Sequence, residues 1–181
     1  MMLHTYYNFL DLYDSKQVWD LLTKAENAKD SRLKDSAASG KKVTELFSVQ
    51  VHLIRKTLEP YFLAVHEANI NSFGFDLYTN TPLTMNFNTY ETGDCYPIHQ
   101  DILQHGSPSD TKLTAILNVS TKNFEGGDLI LHLGKDKMIM KSLRSPGALC
   151  VFPSYIFHEI TPVTSGQRIS ATSWFLGPSW K

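Results

Sequence analysis

A histidine and an aspartate stand two positions apart in the middle of the chain, in the tripeptide His99-Gln100-Asp101. In an extended segment, residues i and i+2 point to the same side, so this imidazole and this carboxylate can bind one metal ion together. Two histidines and one carboxylate on one face of an octahedron form the facial triad of non-heme Fe(II) oxygenases. The tripeptide is short and common by chance, so it is weak evidence for a metal site by itself. A facial triad also requires a third ligand, a second histidine, from elsewhere in the chain.

We expect His158 to be that third ligand. The apolar segment before it is typical of a strand that ends at Pro153, and a loop would then present His158. Glu159 is a rival ligand, but neighbouring residues of an extended segment point in opposite directions, which favours the histidine.

Arg168 lies in an otherwise apolar segment that follows a turn near Gly166. A buried guanidinium needs an anionic partner, and its parallel N–H donors suit a carboxylate. Ser170 lies two residues further on and therefore on the same face of the strand. Arg168 and Ser170 together could hold the distal carboxylate of a dicarboxylic acid.

The elements that must position these side chains begin with helices. Ser15 is a plausible N-cap for a first helix, whose apolar residues recur at helical spacing. A second helical stretch is predicted from Val43, and Pro60 either kinks it or starts a new turn. Residues 61–68 continue as helix. Between the two helices, residues 29–42 are polar and rich in lysine, which predicts a surface loop.

From Ser72 onward, short apolar or alternating segments are each closed by turn residues, which predicts strands. The predicted strands cover residues 73–79, 84–90, 113–120, 128–133, 138–142, 147–152 and 168–176. Many short strands in one block suggest a sandwich, a jelly roll or a barrel. We expect the helices to pack on one face of this β-core as part of one domain.

Charge and composition exclude several classes of partner. The 181 residues carry 17 Lys and Arg against 18 Asp and Glu, which rules out a broad electrostatic footprint for nucleic acid or an anionic membrane. No apolar run approaches the roughly 18 residues that a membrane-spanning helix needs. No signal-peptide pattern is present and Cys95 and Cys150 make no disulfide framework, so we expect a cytoplasmic protein with reduced thiols.

Several separated motifs follow one another along the second half of the chain. They are Tyr90-x-x-Gly93-x-x-Tyr96-x-x-His99-x-Asp101, Gly126-Gly127-Asp128-Leu129, Pro146-Gly147-Ala148-Leu149, Phe152-Pro153-Ser154, His158-Glu159 and Pro162-Val-Thr-Ser-Gly-x-Arg168. Their order and spacing resemble the 2-oxoglutarate/Fe(II)-dependent oxygenases, and in particular the prolyl 4-hydroxylase-like group with its bacterial and phage members. The resemblance runs from about Leu83 to Trp174, roughly half of the chain.

The resemblance implies a mainly β (α+β) fold, in which N-terminal helices support a double-stranded β-helix, or jelly-roll, core. It implies a single oxygenase domain over residues 1–181, with supporting helices in 1–70 and the core in 71–181. It also implies Fe(II), 2-oxoglutarate as cosubstrate and O2, with ascorbate as an additional cofactor.

Residue roles also come from the resemblance. Arg168 would pair with the C5 carboxylate of 2-oxoglutarate, with Ser170 as a helper, and Tyr90 would lie beside the cosubstrate or the substrate. Asn118 stands where similar enzymes often have a tyrosine that contacts the cosubstrate carboxylate. The implied iron ligands are His99, Asp101 and His158.

The substrate pocket is less specified. Tyr96, His105 and Trp174 are candidates for it, each with an ordinary core, rim or loop role as the alternative. Residues 102–111 could cover an open channel of the kind that a peptide substrate needs, whereas a small substrate needs a closed pocket.

Three functions therefore remain open. The first is hydroxylation of a prolyl residue in a peptide or protein, with release of succinate and CO2. The second is the same chemistry on a free amino acid or another small molecule, and the third is a non-catalytic metal- or ligand-binding jelly roll. Demethylation of nucleic acid bases is disfavoured by the near-neutral charge. We expect neither a nucleic acid nor a membrane as partner, and the sequence specifies no oligomeric state.

Overall fold

Helices form one layer of the structure and two antiparallel sheets form the others. The computed structural model describes residues 7–29, 42–102 and 109–180. Its helices are α1 (Ser15–Ala28), α2 (Val51–Ile54) and α3 (Glu59–Ala68), with a π-helical turn at Asn69–Phe73 and a 3-10 helix at Lys141–Arg144. Its strands are β1 (Asn8–Asp11), β2 (Glu45–Gln50), β3 (Thr84–Tyr90), β4 (Tyr96–His99), β5 (Ser109–Asn118), β6 (Phe124–Gly126), β7 (Leu129–Leu133), β8 (Asp136–Ile139), β9 (Ala148–Pro153), β10 (Phe157–Ile160), β11 (Val163–Gly166) and β12 (Arg168–Pro178).

The larger sheet has six strands in the order β1-β9-β5-β12-β3-β2, with antiparallel neighbours throughout. The smaller sheet has four antiparallel strands in the order β4-β10-β7-β8, and β6 pairs with β11 separately. One buried apolar cluster lies between the two sheets, and a second lies between the larger sheet and the helices. This arrangement confirms the expected mainly β fold with N-terminal helices and a jelly-roll core.

Alternate side chains along β12 point to the two opposite sides of the larger sheet. Ile169, Ala171 and Phe175 are buried against the helical layer. Arg168 and Ser170 point to the opposite side, where a cavity lies between the two sheets. Because side chains in a strand alternate between the two faces, one strand stabilises the fold with one face and offers polar groups with the other.

The first helix begins one residue earlier than the sequence indicates. Asp14, not Ser15, is the N-cap: its carboxylate accepts a hydrogen bond from the backbone N–H of Gln17 at 2.8 Å, and the Gln17 side chain accepts one from the backbone N–H of Asp14 at 2.9 Å. This reciprocal pair is a capping box, and it satisfies two N–H groups that the helix itself leaves without acceptors. The apolar face of α1 is buried against the larger sheet, as predicted.

The helical stretch predicted from Val43 is wrong over its first part, where β2 pairs with β3 as the edge strand of the larger sheet. Phe47 lies opposite Phe87, and their rings stack with centroids 5.1 Å apart. Apolar residues in this segment satisfy both a helical and an alternating spacing, and pairing with a distant strand decides between them. Pro60 lies in the first turn of α3, where a proline is tolerated because no helical N–H is lost there.

The strand predicted at residues 73–79 is also absent. Instead, α3 runs into the π-helical turn, which ends at Gly74 with φ +70°. The Asn69 amide accepts a hydrogen bond from Phe75 N at 2.9 Å and donates one to Phe75 O at 2.8 Å, so it takes the place of a strand partner. The short strands β1, β4, β6, β10 and β11 were not predicted.

Parts of two predicted loops, residues 30–41 and 103–108, lie outside the described residues. In the described parts of the chain, no helix is long and apolar enough to cross a membrane. Cys95 and Cys150 are both free thiols. The division of a single domain at residue 70 stays a prediction, and β1 and β2 lie on the N-terminal side of it.

Candidate active site

His99, Asp101 and His158 come together between the two sheets, and a potential ligand atom of each lies within 4.8 Å of those of the other two. His99 Nε2 is 3.6 Å from Asp101 Oδ1, and His158 Nε2 is 3.4 Å from Asp101 Oδ2. Atoms that bind one ion at about 2.0–2.2 Å lie at most about 4.4 Å apart, so these separations fit a shared metal ion. The structure thus groups the three residues that the sequence analysis selected.

Strand pairing within the smaller sheet positions the two histidines. His158 lies in β10, not in a loop as predicted, and it pairs directly with His99 in β4. His99 Nδ1 contacts the carbonyl oxygen of Pro97 at 2.8 Å, and His158 Nδ1 contacts that of Ile156 at 3.0 Å. An Nδ1–H that donates to a carbonyl leaves Nε2 as the metal-binding nitrogen. Both rings are therefore oriented with Nε2 toward Asp101.

Glu159 lies on the other face of β10, as the alternation of side chains requires. Its carboxylate is 2.9 Å from His132 Nε2 in β7 and 3.7 Å from Lys137 Nζ. Glu159 is therefore not near the three grouped ligand atoms.

Asp101 follows β4 and is held in an ionised state. Burial alone would raise the pKa of its carboxyl, but hydrogen bonds from His158 and Trp174 and the charges of His158 and His99 together outweigh burial and lower the pKa to about 2. An ionised carboxylate is the form that binds a cation. Thr114 Oγ1 also donates a hydrogen bond to Asp101 Oδ2, at 2.9 Å.

Arg168 is buried in the same cavity, and its Nη1 donates to Ser170 Oγ at 3.0 Å. The guanidinium carbon lies 5.1 Å from the ring centre of Tyr90. Burial raises the pKa of the Tyr90 hydroxyl to about 12. Among the residues that the structure describes, none places a carboxylate within 4.0 Å of Arg168. A buried arginine stays charged, so this cavity contains a cation that has room for an anionic partner from outside.

Asn118 is not brought into this cavity. Its amide nitrogen donates to the carbonyl oxygens of Leu143 at 3.0 Å and Arg144 at 2.8 Å, and its oxygen accepts from Ser120 N at 2.8 Å. The side chain is buried, and its amide N–H donors are engaged by carbonyl oxygens of the 3-10 helix, so they do not point toward a carboxylate in the cavity. Ile116, two residues earlier on β5, lines the cavity instead.

The substrate-pocket candidates differ in their placement. Tyr96 stacks on His99 with ring centroids 3.7 Å apart, and Tyr96 and Trp174 both line the cavity. His105 lies outside the described residues. Sequence reasoning did not single out three further lining residues, although each lies two positions from a selected residue on a strand: Asn88, Ile116 and Ile160.

An open groove of about 420 Å³ adjoins the cavity, and the two share Asp101 and Trp174. The remaining walls of the groove are formed by uncharged side chains: Pro82, Leu83, Thr84, Gln100, Ile102, Thr111 and Leu176. Among the described residues that line the groove, the only charged one is therefore Asp101, a member of the candidate metal site.

Comparison with known families identifies the class of protein. The model of the 2OG-Fe(II) oxygenase superfamily matches residues 85–176, about half of the chain. The chain belongs to this superfamily, whose members use Fe(II), 2-oxoglutarate and O2. The matched segment runs from β3 to β12 and contains all three residues of the candidate metal site.

Curated relatives include a PKHD-type hydroxylase of Shewanella oneidensis, 39% identical over 94 residues that make up 49% of this chain and 40% of the relative. A PKHD-type hydroxylase of Alteromonas mediterranea is 32% identical over 95 residues, 49% of this chain and 41% of the relative. The matched segment thus spans about two fifths of these relatives.

Solved structures share the fold over nearly the whole chain. A Pseudomonas putida prolyl-4-hydroxylase superposes with a TM-score of 0.70 at 18% identity, covering 96% of this chain and 94% of the other. A viral collagen prolyl hydroxylase from Paramecium Bursaria Chlorella virus-1, in complex with 2OG, gives a TM-score of 0.72 at 16% identity, covering 96% and 97%. At these identities the likeness supports the jelly-roll fold.

Proposed function

We propose that this protein is a Fe(II)- and 2-oxoglutarate-dependent dioxygenase that hydroxylates a prolyl residue in a peptide or protein and releases succinate and CO2. One observation carries the proposal: a single cavity joins three metal-binding side chains to a buried arginine. A bare binding module needs neither an open metal face nor a buried guanidinium, so this combination favours an enzyme.

In this proposal His99, Asp101 and His158 hold the iron, and their donor set of two imidazoles and one carboxylate suits Fe(II). Bound iron, 2-oxoglutarate and O2 supply the oxidising chemistry, with ascorbate as the additional reductant that we expect. The protein holds the reactants in place. Asp101 also favours hydroxylation, because related halogenases lack this carboxylate and use the vacant position for halide.

Arg168 and Ser170 would bind the distal carboxylate of 2-oxoglutarate. The guanidinium is buried and already has a hydroxyl beside it at 3.0 Å, so an incoming carboxylate meets fixed donors in a site of low dielectric. Tyr90 would border the same ligand with its ring against the guanidinium.

A peptide substrate is supported by the open groove beside the cavity. The described residues that line it are uncharged apart from Asp101, and Leu83 and Ile102 are 61% and 48% exposed. The solved neighbours that are prolyl hydroxylases support the same choice. We also propose a cytoplasmic location, in line with the two free thiols.

The class of chemistry is tested first. Under anaerobic conditions Fe(II) and 2-oxoglutarate are bound, O2 is admitted, and succinate is measured. We expect His99→Ala and His158→Ala to lose both metal binding and succinate formation. The matched control is His132→Ala, which removes a histidine from the opposite face of the same sheet. Retention of metal affinity and turnover in both ligand variants would refute the site.

The substrate is tested next, with proline-containing peptides and free proline at equal concentration. Hydroxylated product is identified by mass spectrometry. The proposal predicts product from peptides and none from the free amino acid. Product from the free amino acid alone would instead support the small-molecule alternative.

A further inference from the structure

The carboxylate of Asp101 lies at the end of a chain of two buried hydroxyl groups. Thr114 Oγ1 donates to Asp101 Oδ2 at 2.9 Å, and Ser154 Oγ lies 3.0 Å from Thr114 Oγ1. Ser154 also accepts a hydrogen bond from the backbone N–H of Asp101 through its own carbonyl oxygen, at 3.0 Å. Thr114 and Ser154 are fully buried. The larger sheet therefore contacts Asp101 at both the main chain and the side chain.

The direction of the hydrogen bonds follows from proton counting. A metal-binding carboxylate has no proton to give, so the hydroxyl proton of Thr114 must go to Asp101. A threonine hydroxyl has one proton, and therefore Ser154 must be the donor toward Thr114. The order is Ser154 to Thr114 to Asp101, and successive hydrogen bonds in such a chain strengthen one another.

We propose that Thr114, supported by Ser154, is a positioning residue that fixes the orientation of the Asp101 carboxylate for metal binding. This inference rests on the proposed function, because it assumes that Asp101 binds the iron. Asp101 follows β4 in a segment without regular structure, so its strand does not fix its side chain. The hydrogen bond from Thr114 supplies such a constraint, beside the indole of Trp174, which is also close enough to hydrogen-bond Asp101.

The chemistry of the donor matters as much as its position. A hydroxyl group is uncharged, so it orients Asp101 without neutralising the negative charge that attracts the metal. It also engages one carboxylate oxygen, which opposes binding of both oxygens to one ion. A facial triad leaves three positions for cosubstrate and O2, and a carboxylate that binds through both oxygens would take one of them.

The test compares Thr114→Val, which keeps the shape and removes the hydroxyl, with Thr114→Ser, which keeps the hydroxyl. Metal affinity is measured by calorimetry with Co(II) in place of Fe(II), and the visible spectrum of bound Co(II) reports the ligand geometry. Loss of a hydrogen bond to a metal ligand typically weakens metal binding by roughly 10- to 100-fold. We expect a loss of this size in Thr114→Val, with an altered spectrum, and near-complete recovery in Thr114→Ser.

Two further variants keep the outcome decisive. Ser154→Ala should weaken Co(II) binding less than Thr114→Val, and it can be read even if Thr114→Val fails to fold. Ser173→Ala is the matched control: Ser173 is a fully buried hydroxyl on the opposite face of the neighbouring strand, where it hydrogen-bonds Tyr61. Its loss should leave Co(II) affinity and spectrum unchanged.

Unchanged Co(II) affinity and spectrum in both Thr114→Val and Ser154→Ala would overturn the inference. That result is distinct from failure of the proposed function, in which the wild-type protein itself would bind no metal and release no succinate. Equal losses in Ser173→Ala and Thr114→Val would also overturn it, since any buried hydroxyl would then have the same effect.

Discussion

Arg168 is a buried cation whose described neighbours include no carboxylate within reach. Burial lowers the pKa of its guanidinium, while Tyr90 and Asp128 oppose that change. A buried charge without an ionic partner is costly, and an arriving anion removes that cost. In the proposed function, the selectivity of the cavity for a dicarboxylic cosubstrate would therefore depend mainly on this side chain.

Replacing Arg168 should affect the cosubstrate more than the metal. Loss of a buried charge-assisted pair costs on the order of 2–5 kcal/mol, so Arg168→Ala should raise the KM for 2-oxoglutarate strongly and leave Co(II) affinity within a few fold. Arg168→Lys keeps the charge and loses the planar fork of N–H donors, so its KM for 2-oxoglutarate should lie between those of the wild type and Arg168→Ala. Calorimetric titration of each ligand separates the effects. An unchanged KM in Arg168→Ala would remove Arg168 from its proposed role.

Gly127 makes room for Arg168. A Cβ atom at this position would lie 2.9 Å from Arg168 Cδ and 3.0 Å from Val163 Cγ2. Gly127→Ala should therefore displace the guanidinium and raise the KM for 2-oxoglutarate. The matched control is Gly134→Ala: both glycines have positive φ, +58° and +67°, but a Cβ at Gly134 meets nothing within 4 Å. Both variants carry backbone strain, so equal KM values in the two would contradict the steric role.

At the scale of elements, the groove beside the cavity is built from strand ends and the segments that flank them. Leu83 precedes β3 and Ile102 follows β4. Thr111 lies near the start of β5, and Leu176 lies near the end of β12. No single element forms the groove, so its apolar character depends on how the two sheets are joined. The same elements place Trp174 where groove and cavity meet.

A charge on the wall of this groove should impair turnover of a peptide substrate without affecting turnover of 2-oxoglutarate. Leu83→Lys should lower kcat/KM for a proline-containing peptide of uncharged sequence by several fold, because burying an ammonium group against apolar contacts is unfavourable. Turnover of 2-oxoglutarate without substrate should be unchanged. Leu63→Lys is the control, since Leu63 is similarly exposed, at 66% against 61%, but lies on α3 in the helical layer. A peptide kcat/KM that falls equally in both variants would argue against the groove.

The elements also show what the sequence could and could not predict. The alternation along β12 correctly placed Arg168 and Ser170 on one face, because period two follows from the strand alone. The family resemblance suggested a role for Asn118 in the site, but its partners are carbonyls of a 3-10 helix more than 20 residues away. Strands β4 and β10 span four residues each, too short for a periodic signal, and only their pairing reveals them.

At the scale of the whole molecule, the site lies between the two sheets and away from the helices. His99 and His158 belong to the smaller sheet, while Thr114 and Ser154 tie Asp101 to the larger one. A metal ion at this point would join two layers that otherwise contact through apolar side chains. Metal binding and stability of the fold should therefore be linked.

This linkage can be measured by thermal unfolding with Mn(II), a redox-stable substitute for iron. A ligand at 100 times its Kd stabilises the folded state by about 2.7 kcal/mol, which corresponds to roughly 5–10 °C in Tm for a chain of this size. His158→Ala should lose the increase, and His132→Ala should keep it. An equal rise in all three proteins would mean that Mn(II) binds elsewhere.

The position of Trp174 gives the molecule an optical reporter of its own chemistry. The chain has three tryptophans, of which Trp19 and Trp180 are 59% and 45% exposed. Trp174 alone lines the cavity, close enough to Asp101 to hydrogen-bond it. Its indole emission should be quenched when metal and cosubstrate arrive, against a constant background from the other two. Each binding step can then be followed in real time by light, without a label and before any product exists.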